Sequence, residues 1–342
     1  MKNFSRNIYK ILGFAISIVC LYFAFRGIQW GQVAVTFKKA SYPPLVLSIL
    51  FQLFSLAIAG FRWKTVINLS EVSWVSASAS MMVGLMVNNI LPGRMGEFVR
   101  PILLGEEIKR SKAFLFATVV IDRISDLVVL LILGLLSFGM FPFIPWARQM
   151  SIIGGLLLVF VLLVIGVFSY SNIGSKIERV VNQLGVSRFY ERAAHSLQKF
   201  RLGFRSIQSV QQGAAVFGLS WLVWAAWFLG LYYALRAFDL VLPVWGMILL
   251  LSTLNLGGLV PSSPGYAGTY QFLAILVLSN FAIKKEEALS FILVFHALWY
   301  VPQTLIGLSI VVKKNLSLGQ LMSNKKGDVA ESVSSSTFEK AG

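Results

Sequence analysis

Six stretches of this chain, at about 8–25, 44–61, 113–138, 150–170, 214–236 and 287–312, are apolar over roughly the 20 residues a helix needs to cross a hydrocarbon core. Lipid offers no partner to a bare backbone N–H or C=O, so such runs cross as helices or as strands of a closed barrel. No array of short alternating segments is present, and the runs are therefore read as helices. The composition points the same way, with 57% hydrophobic residues and a mean hydropathy of +0.76. A water-soluble fold is excluded, and the expected class is an all-α polytopic membrane protein. No small-residue cleavage site follows Arg26, so the first run is read as a retained helix.

Two further apolar regions, at about 75–104 and 243–282, are interrupted near their middles. The interruptions read Asn88-Asn89-Ile90-Leu91-Pro92-Gly93-Arg94-Met95-Gly96-Glu97 and Pro261-Ser262-Ser263-Pro264-Gly265-Tyr266-Ala267-Gly268. Proline and glycine leave backbone groups without helical partners, and in lipid those groups must face protein or a watery cavity. Both regions are therefore expected to be helical hairpins folded into the interior, reversing at Pro92, Gly93 and Gly96 and at Pro264, Gly265 and Gly268. The pattern Pro-Gly-x-x-Gly recurs at an offset of 172 residues (264 − 92). The same shift carries the run at 44–61 onto 216–233 and that at 113–138 onto 285–310, both near expected spans. Two repeat halves follow, about 44–138 and 214–312, with the hairpins entering from opposite faces as an inverted repeat. The competing reading is coincidence, since both residues are frequent in membrane helices.

A net charge of +16, from 30 Lys+Arg against 14 Asp+Glu, would raise nucleic acid as a partner for a soluble chain. For a membrane chain the simpler partner is anionic lipid. Between 171 and 212, Lys176, Arg179, Arg188, Arg192, Lys199, Arg201 and Arg205 stand against Glu178 and Glu191, which assigns this loop and, by helix parity, both termini to the cytoplasm. Lys38-Lys39 and Lys284-Lys285 then fall outside, against the trend. Within the loop, apolar residues at helical spacing suggest helices lying on the inner surface. Residues 1–314 are expected to form the transmembrane domain, and the Ser-rich stretch 315–342 a disordered polar tail. Cys20 is the only cysteine, and no metal-ligand spacing, nucleotide-binding loop or Ser-His-Asp arrangement is evident, so no metal, cofactor or catalytic residue is assigned.

Charge inside an apolar run is costly and has to be explained. Asp122, Arg123 and Asp126 lie in the run at 113–138, with Asp122 and Asp126 one turn apart. They are read either as a functional cluster or as an ion pair that fixes packing. Arg94, Glu97 and Arg100 are spaced by three, so a helix beginning after Pro92-Gly93 carries them along one side, where its free N–H groups and the guanidinium forks suit a phosphate. The other reading has Arg94 and Arg100 reaching to head groups beside Lys109, Arg110 and Lys112. Asn88 and Asn89 either satisfy broken backbone or bind ligand. The second hairpin is polar without charge, offering Tyr266, Tyr270 and Gln271, and His296 follows on the last helix as a packing histidine or a ligand group.

Taken with Asp122-Arg123, the two broken motifs resemble the flippase-like membrane family related to the transmembrane half of bacterial lysylphosphatidylglycerol synthases, over about residues 8–314. The resemblance implies an integral inner-membrane protein acting on lipids, in some relatives by moving an aminoacylated phospholipid between leaflets. It lends Arg94, Glu97, Asp122 and Arg123 a functional role. Many relatives carry Glu where this chain has Gln271, and only a short polar tail follows Lys314 where the synthases append a soluble aminoacyl-transfer domain. The expected function is a flippase or scramblase whose hairpins meet at a groove for a phospholipid or polyprenyl-phosphate head group. The alternatives are a membrane transferase using Glu97 or Asp122 as base, and a scaffold binding lipid or a partner through the 171–212 loop.

Overall fold

The structure, a computed structural model, describes residues 18–91, 94–170, 206–207, 209–259 and 262–315, without the side chains of 164–170. Pro92, Gly93 and Pro261, nearly all of the basic loop with its expected surface helices, the start of the first run and the polar tail lie outside the described residues. Among the described residues the regular structure is entirely helical, as expected for an all-α polytopic membrane protein.

The elements are α1 (Ile18–Phe25), α2 (Trp30–Lys39), α3 (Tyr42–Ile67), α4 (Trp74–Ile90), α5 (Gly96–Glu107), α6 (Lys112–Met140) and α7 (Pro145–Tyr170). After the basic loop come α8 (Val210–Ala237), α9 (Val244–Gly257), a 3-10 turn (Pro264–Tyr266), α10 (Thr269–Leu278) and α11 (Lys285–Lys313). Five of these, α3, α6, α7, α8 and α11, coincide with expected spans. Among the described residues four helices qualify by length and apolarity to cross a membrane, or five when α1 and α2, bent by 84° at their junction, are taken as one broken span. The 29-residue α6 is as long as α11 but carries three charges near its middle. Caps define several starts: Ser73, Ser111 and Ser209 accept from the N–H groups of Ser76, Phe114 and Gln212, and Pro43-Pro44 open α3, where missing N–H groups cost nothing.

The broken regions are built from short helices. At 1.5 Å per residue α4, with 17 residues, is about 25 Å long, and α5, α9 and α10 are shorter still, all under the ~30 Å of a hydrocarbon core. The pair α4/α5 runs antiparallel, with Ser76 hydrogen-bonded to Glu107 at its open end and Asn88 to Glu97 at its tip. Between these points the backbones touch: a Cβ on Gly96 would fall on the Gly84 carbonyl oxygen, so this crossing requires glycine. The pair α9/α10 folds back likewise, with Gly257 against Leu273 near the tip and Gly246 against Phe281 at the open end.

At the centre α3 and α8 are antiparallel. Phe51 stacks on Tyr233, the Ser55 hydroxyl donates to the Val223 carbonyl at 3.2 Å, and the Gln212 amide donates to the Thr65 carbonyl at 2.9 Å. Gly230 admits the close approach, its missing Cβ lying 3.0 Å from Gln52. Around this pair α3 packs on α4 and α8 on α9, while α4 rests on α11 and α9 on α6. The largest apolar core, including Leu231, Leu235, Leu249, Leu250, Phe291 and Phe295, is built mainly from the second half, with Val129, Leu130 and Phe138 of α6 joining it. The helix α7 packs on α6 and leaves Ile152, Leu156, Val159 and Phe160 exposed, as a lipid-facing helix does.

Candidate functional site

The charged residues of three helices converge in the interior. Asp122 stands ten residues into α6, about 15 Å from its start, with Arg123 beside it and Asp126 one turn on. The first turn of α5 adds Glu97 and Arg100, and α3 adds Arg62. These six side chains close a ring of alternating sign. The Arg62 Nε lies 2.9 Å from Asp122 Oδ1, and the two Nη groups of Arg62 fork onto the Asp126 carboxylate. Arg100 reaches Asp122 at 3.1 Å and Glu97 at 3.4 Å. Arg123 reaches Glu97 at 3.1 Å and Asp126 at 3.5 Å, which closes the circuit.

Three guanidiniums and three carboxylates cancel, and each carboxylate contacts two cations, the condition under which charge is tolerated away from water. Further groups seat the ring. Ser220 accepts from Arg62 at 3.0 Å, and the Arg100 guanidinium lies 4.8 Å over the Trp63 ring. Arg62, Arg100 and Asp122 are 1% exposed, whereas Arg123 is 38% exposed, so the ring has a sealed side and an open one.

The open side faces a cavity of about 440 Å³ between the two hairpins. Asn88, Asn89, Arg94 and Glu97 line it from the first hairpin, and Asp122, Arg123 and Asp126 from α6. The second half contributes Asn255, Gly258, Tyr266 and Tyr270, with Trp224, Trp227 and Trp299 behind them. Half-buried apolar residues, Leu56 on α3 and Phe116, Val120, Ile124 and Leu127 on α6, form the remaining wall.

Arg94 joins the hairpins at their tips. Its Nη2 donates to the Gly258 carbonyl at 2.6 Å and its guanidinium lies 5.8 Å over the Tyr266 ring. Gly258 caps the C-terminus of α9, where unpaired carbonyls and the dipole favour a cation. Among the described residues no carboxylate pairs with Arg94. Nearby, the Tyr300 hydroxyl donates to the Asn89 carbonyl at 3.3 Å, and the Asn89 amide donates to Thr304 at 3.0 Å.

A family model for the lysylphosphatidylglycerol synthase transmembrane region matches residues 10–307. The chain belongs to that family. It is 23% identical over 332 residues to a UPF0104 membrane protein of Pyrococcus horikoshii, covering 90% of this chain and 96% of that protein. It is 26% identical over 279 residues to a UPF0104 membrane protein of Methanothermobacter thermautotrophicus, covering 75% and 81%. A third, from Methanocaldococcus jannaschii, is 24% identical over 294 residues, covering 80% and 85%.

Of the residues singled out in the sequence, nine line the cavity: Asn88, Asn89, Arg94, Glu97, Asp122, Arg123, Asp126, Tyr266 and Tyr270. Arg100 is a member of the ring on its sealed side, and does not line the cavity. Gln271 and His296 do not line it but stand directly behind its wall: Gln271 accepts from the Gly268 N–H at 2.8 Å and meets His296 Nδ1 at 3.0 Å, and the His296 ring packs on the cavity residues Tyr270 and Trp299. They close the start of α10. The expected anion site at the start of α5 is also occupied from within, because the N–H of Gly96 donates to the Asn88 side chain at 2.7 Å and those of Glu97 and Phe98 to the carbonyls of Arg94 and Met95. The cations of this site are side chains. Arg62 was not singled out, because the apolar run preceding it ends at residue 61 and a base there reads as a flank. The helix continues through Trp63, Val66 and Ile67, all buried, and that continuation is the signal that places Arg62 inside. Among the described residues no cluster of His, Cys, Asp and Glu suited to a metal is present.

Proposed function

We propose that this protein is a lipid transporter of the flippase or scramblase type, which passes a phosphate-bearing head group through the cavity between its hairpins while the acyl chains stay in the bilayer. One observation carries the reading: the charge ring is neutral by itself, and Arg94 adds a single positive charge with no carboxylate against it among the described residues. A phosphodiester brings a single negative charge. Its oxygens would take Arg94 from the Gly258 carbonyl and share Arg123, the ring's exposed member, as a guanidinium fork favours. The apolar wall from Leu56 to Leu127 would accompany the first methylenes of the lipid. Because the Arg94 to Gly258 contact ties the two tips together, exchanging it for phosphate loosens the hairpins as the ligand binds, which couples binding to a change of access.

The packing supports an inverted repeat. Exchanging α3, α4, α5 and α6 with α8, α9, α10 and α11 turns the pairing of α3 with α4 into that of α8 with α9, and the pairing of α4 with α11 into that of α9 with α6. The central helices exchanged by this operation are antiparallel, as a two-fold axis in the membrane plane requires. The short hairpins are then re-entrant, one from each face. The basic residues of the 171–212 loop favour an inner-membrane orientation with both termini cytoplasmic. The carboxylates that a transferase would need as a base, Glu97 and Asp122, each hold two guanidiniums, which speaks for transport.

The test is leaflet exchange in proteoliposomes with labelled phosphatidylglycerol, aminoacylated phosphatidylglycerol and polyprenyl phosphate, for the native chain, Arg94→Gln and Arg123→Gln. Movement of one lipid class by the native chain, lost in both variants while they remain folded, is the expected result. No movement of any class overturns the transporter reading, and unimpaired Arg94→Gln removes Arg94 from it.

A further inference from the structure

The helix α2 has no part in the cavity, and its residues sort onto three faces. Val33 is buried, and Thr36 and Ala40, three and seven residues on, are half-buried, so one face seats against the body of the protein. Trp30, Ala34 and Phe37, at i, i+4 and i+7, form an exposed apolar stripe along one flank, with Trp30 57% and Phe37 38% exposed. Gln32 and Lys39, seven apart on the other flank, are exposed and polar, and Lys38 and the 51%-exposed Val35 lie between the flanks.

The setting fixes the direction of this helix. It leaves α1 at 84°, through a turn in which Gly27 takes φ +74°, so it runs across the direction of α1. It lies at the end of the molecule where α8 finishes and α11 begins. There the Ser41 N–H donates to the Ala237 carbonyl at 2.8 Å, the Ser290 hydroxyl lies 3.4 Å from the Val33 carbonyl, and the edge of Phe37 meets Phe238. Lys285 donates its ammonium to the carbonyls of Phe23 and Arg26, at 2.9 and 2.7 Å, and so caps the C-terminal end of α1. Lys38, Lys39 and Lys284 are exposed, and among the described residues none has a carboxylate partner.

We infer that α2 is an interfacial helix lying in the head-group layer, with Trp30, Ala34 and Phe37 dipped toward the acyl chains and Lys38, Lys39 and Lys284 on the phosphates of an anionic lipid surface. A helix across the bilayer normal, apolar on one flank and basic on the other, has the chemistry such a surface takes. Trp and Phe then occupy the interface belt instead of water. The inference is independent of lipid transport. It also accounts for the lysine pairs that oppose the charge trend of the loops: Lys38-Lys39 neutralise head groups, and Lys285 is a carbonyl cap.

The experiment uses the full chain with Cys20→Ser, spin-labelled singly at Ala34→Cys, Gln32→Cys or Lys39→Cys, in vesicles of phosphatidylcholine with or without phosphatidylglycerol. Ala34 is small and exposed, so its label leaves the Val33 face undisturbed. The label at 34 is expected to collide with oxygen, and those at 32 and 39 with a water-soluble nickel chelate. Phosphatidylglycerol should deepen the label at 34, and Lys38→Gln with Lys39→Gln should abolish that shift. Equal nickel access at all three positions overturns the proposal. So does dipolar broadening at 34 that vanishes on dilution with unlabelled protein, since a second copy would then cover the stripe. A shift that survives the lysine variants overturns the anionic partner.

Discussion

The two hairpins share one backbone device and differ in what they carry. Each begins its second helix at a glycine whose N–H donates to a side-chain amide oxygen, Gly96 to Asn88 and Gly268 to Gln271. The first hairpin then presents Arg94, Glu97 and Arg100 to the interior, while the second presents Tyr266 and Tyr270 and the carbonyl of Gly258. The cores follow suit. The second half buries a large Leu and Phe cluster, and the first buries smaller Trp, Met and Val clusters beside the charge ring. Thus one half holds charge, and the other supplies the apolar mass and the neutral acceptors against which that charge is set.

If this division is right, the largest stability loss lies in the charged half. Arg62→Ala takes a guanidinium from both Asp122 and Asp126, and breaking a buried pair from one side costs about 3–5 kcal/mol. Denaturant unfolding in detergent should show this loss, and Arg62→Lys should recover little because an ammonium has no fork to span two carboxylates. A loss under 1 kcal/mol would mean that the ring is not what holds α3, α5 and α6 together.

The paired glycines sharpen the comparison. Gly96→Ala pushes a Cβ onto the Gly84 carbonyl, backbone against backbone, at an expected cost of about 1–3 kcal/mol. Its counterpart Gly268 sits at φ +85°, so Gly268→Ala meets left-handed strain of about 1–2 kcal/mol. Equal shifts in unfolding midpoint would still leave distinct signatures, because only Gly96→Ala should disturb the contact of Asn88 with Glu97 and hence the ring.

Arg94→Gln should separate function from stability. The contact with Gly258 is half-buried, and losing a charged hydrogen bond costs roughly 1.5–3 kcal/mol at the step that uses it. Lipid movement should fall about tenfold or more, while the unfolding midpoint shifts less than in Arg62→Ala. Tyr266→Phe keeps the ring face under Arg94 and should leave movement near native.

Much of this was legible in the sequence, for identifiable reasons. Spans are set by apolar content, which is local, and the hairpin breaks by Pro and Gly, which act within a turn. Five of the ring's six residues were legible, Asp122, Arg123 and Asp126 from their apolar run and Glu97 and Arg100 from their spacing, whereas Arg62 stands at the edge of a run and is shown to be interior by the buried helix beyond it and by its partner 60 residues away. Gln271 and His296 stand out because they are polar in an apolar region, and the structure sets them behind Tyr270 and Trp299, where Gln271 accepts from the N–H of the capping Gly268. Of the two readings of Asn88, a group satisfying broken backbone or a ligand group, the structure shows the first, with the Gly96 N–H on its side-chain oxygen; spacing along the preceding helix does not decide between them. The helix α2 is not legible as a span because its ten residues are about half the length one needs.

The smallest effect belongs to the open ends of the hairpins, and here too the halves differ. The first is closed by a polar contact of Ser76 on Glu107, which also takes Lys314 from the end of α11 at 2.6 Å, whereas the second is closed by Phe281 on Gly246. Burial pushes the Glu107 carboxyl up, but its bonds to Lys314 and Ser76 outweigh this and hold it below the usual carboxylate range. A carboxyl depressed in the folded state stabilises above its ordinary range, and that contribution is lost as pH falls through the depressed value. Both partners are about one-third to two-fifths exposed, so the contribution is under about 1 kcal/mol and is screened by salt. Hydrogen exchange should therefore rise across α4 and α5 in acid or high salt, with α9 and α10 unchanged, and Glu107→Gln should remove the difference. Acid-sensitive exchange in both hairpins would place the titrating group in the shared ring and make the polar closure irrelevant.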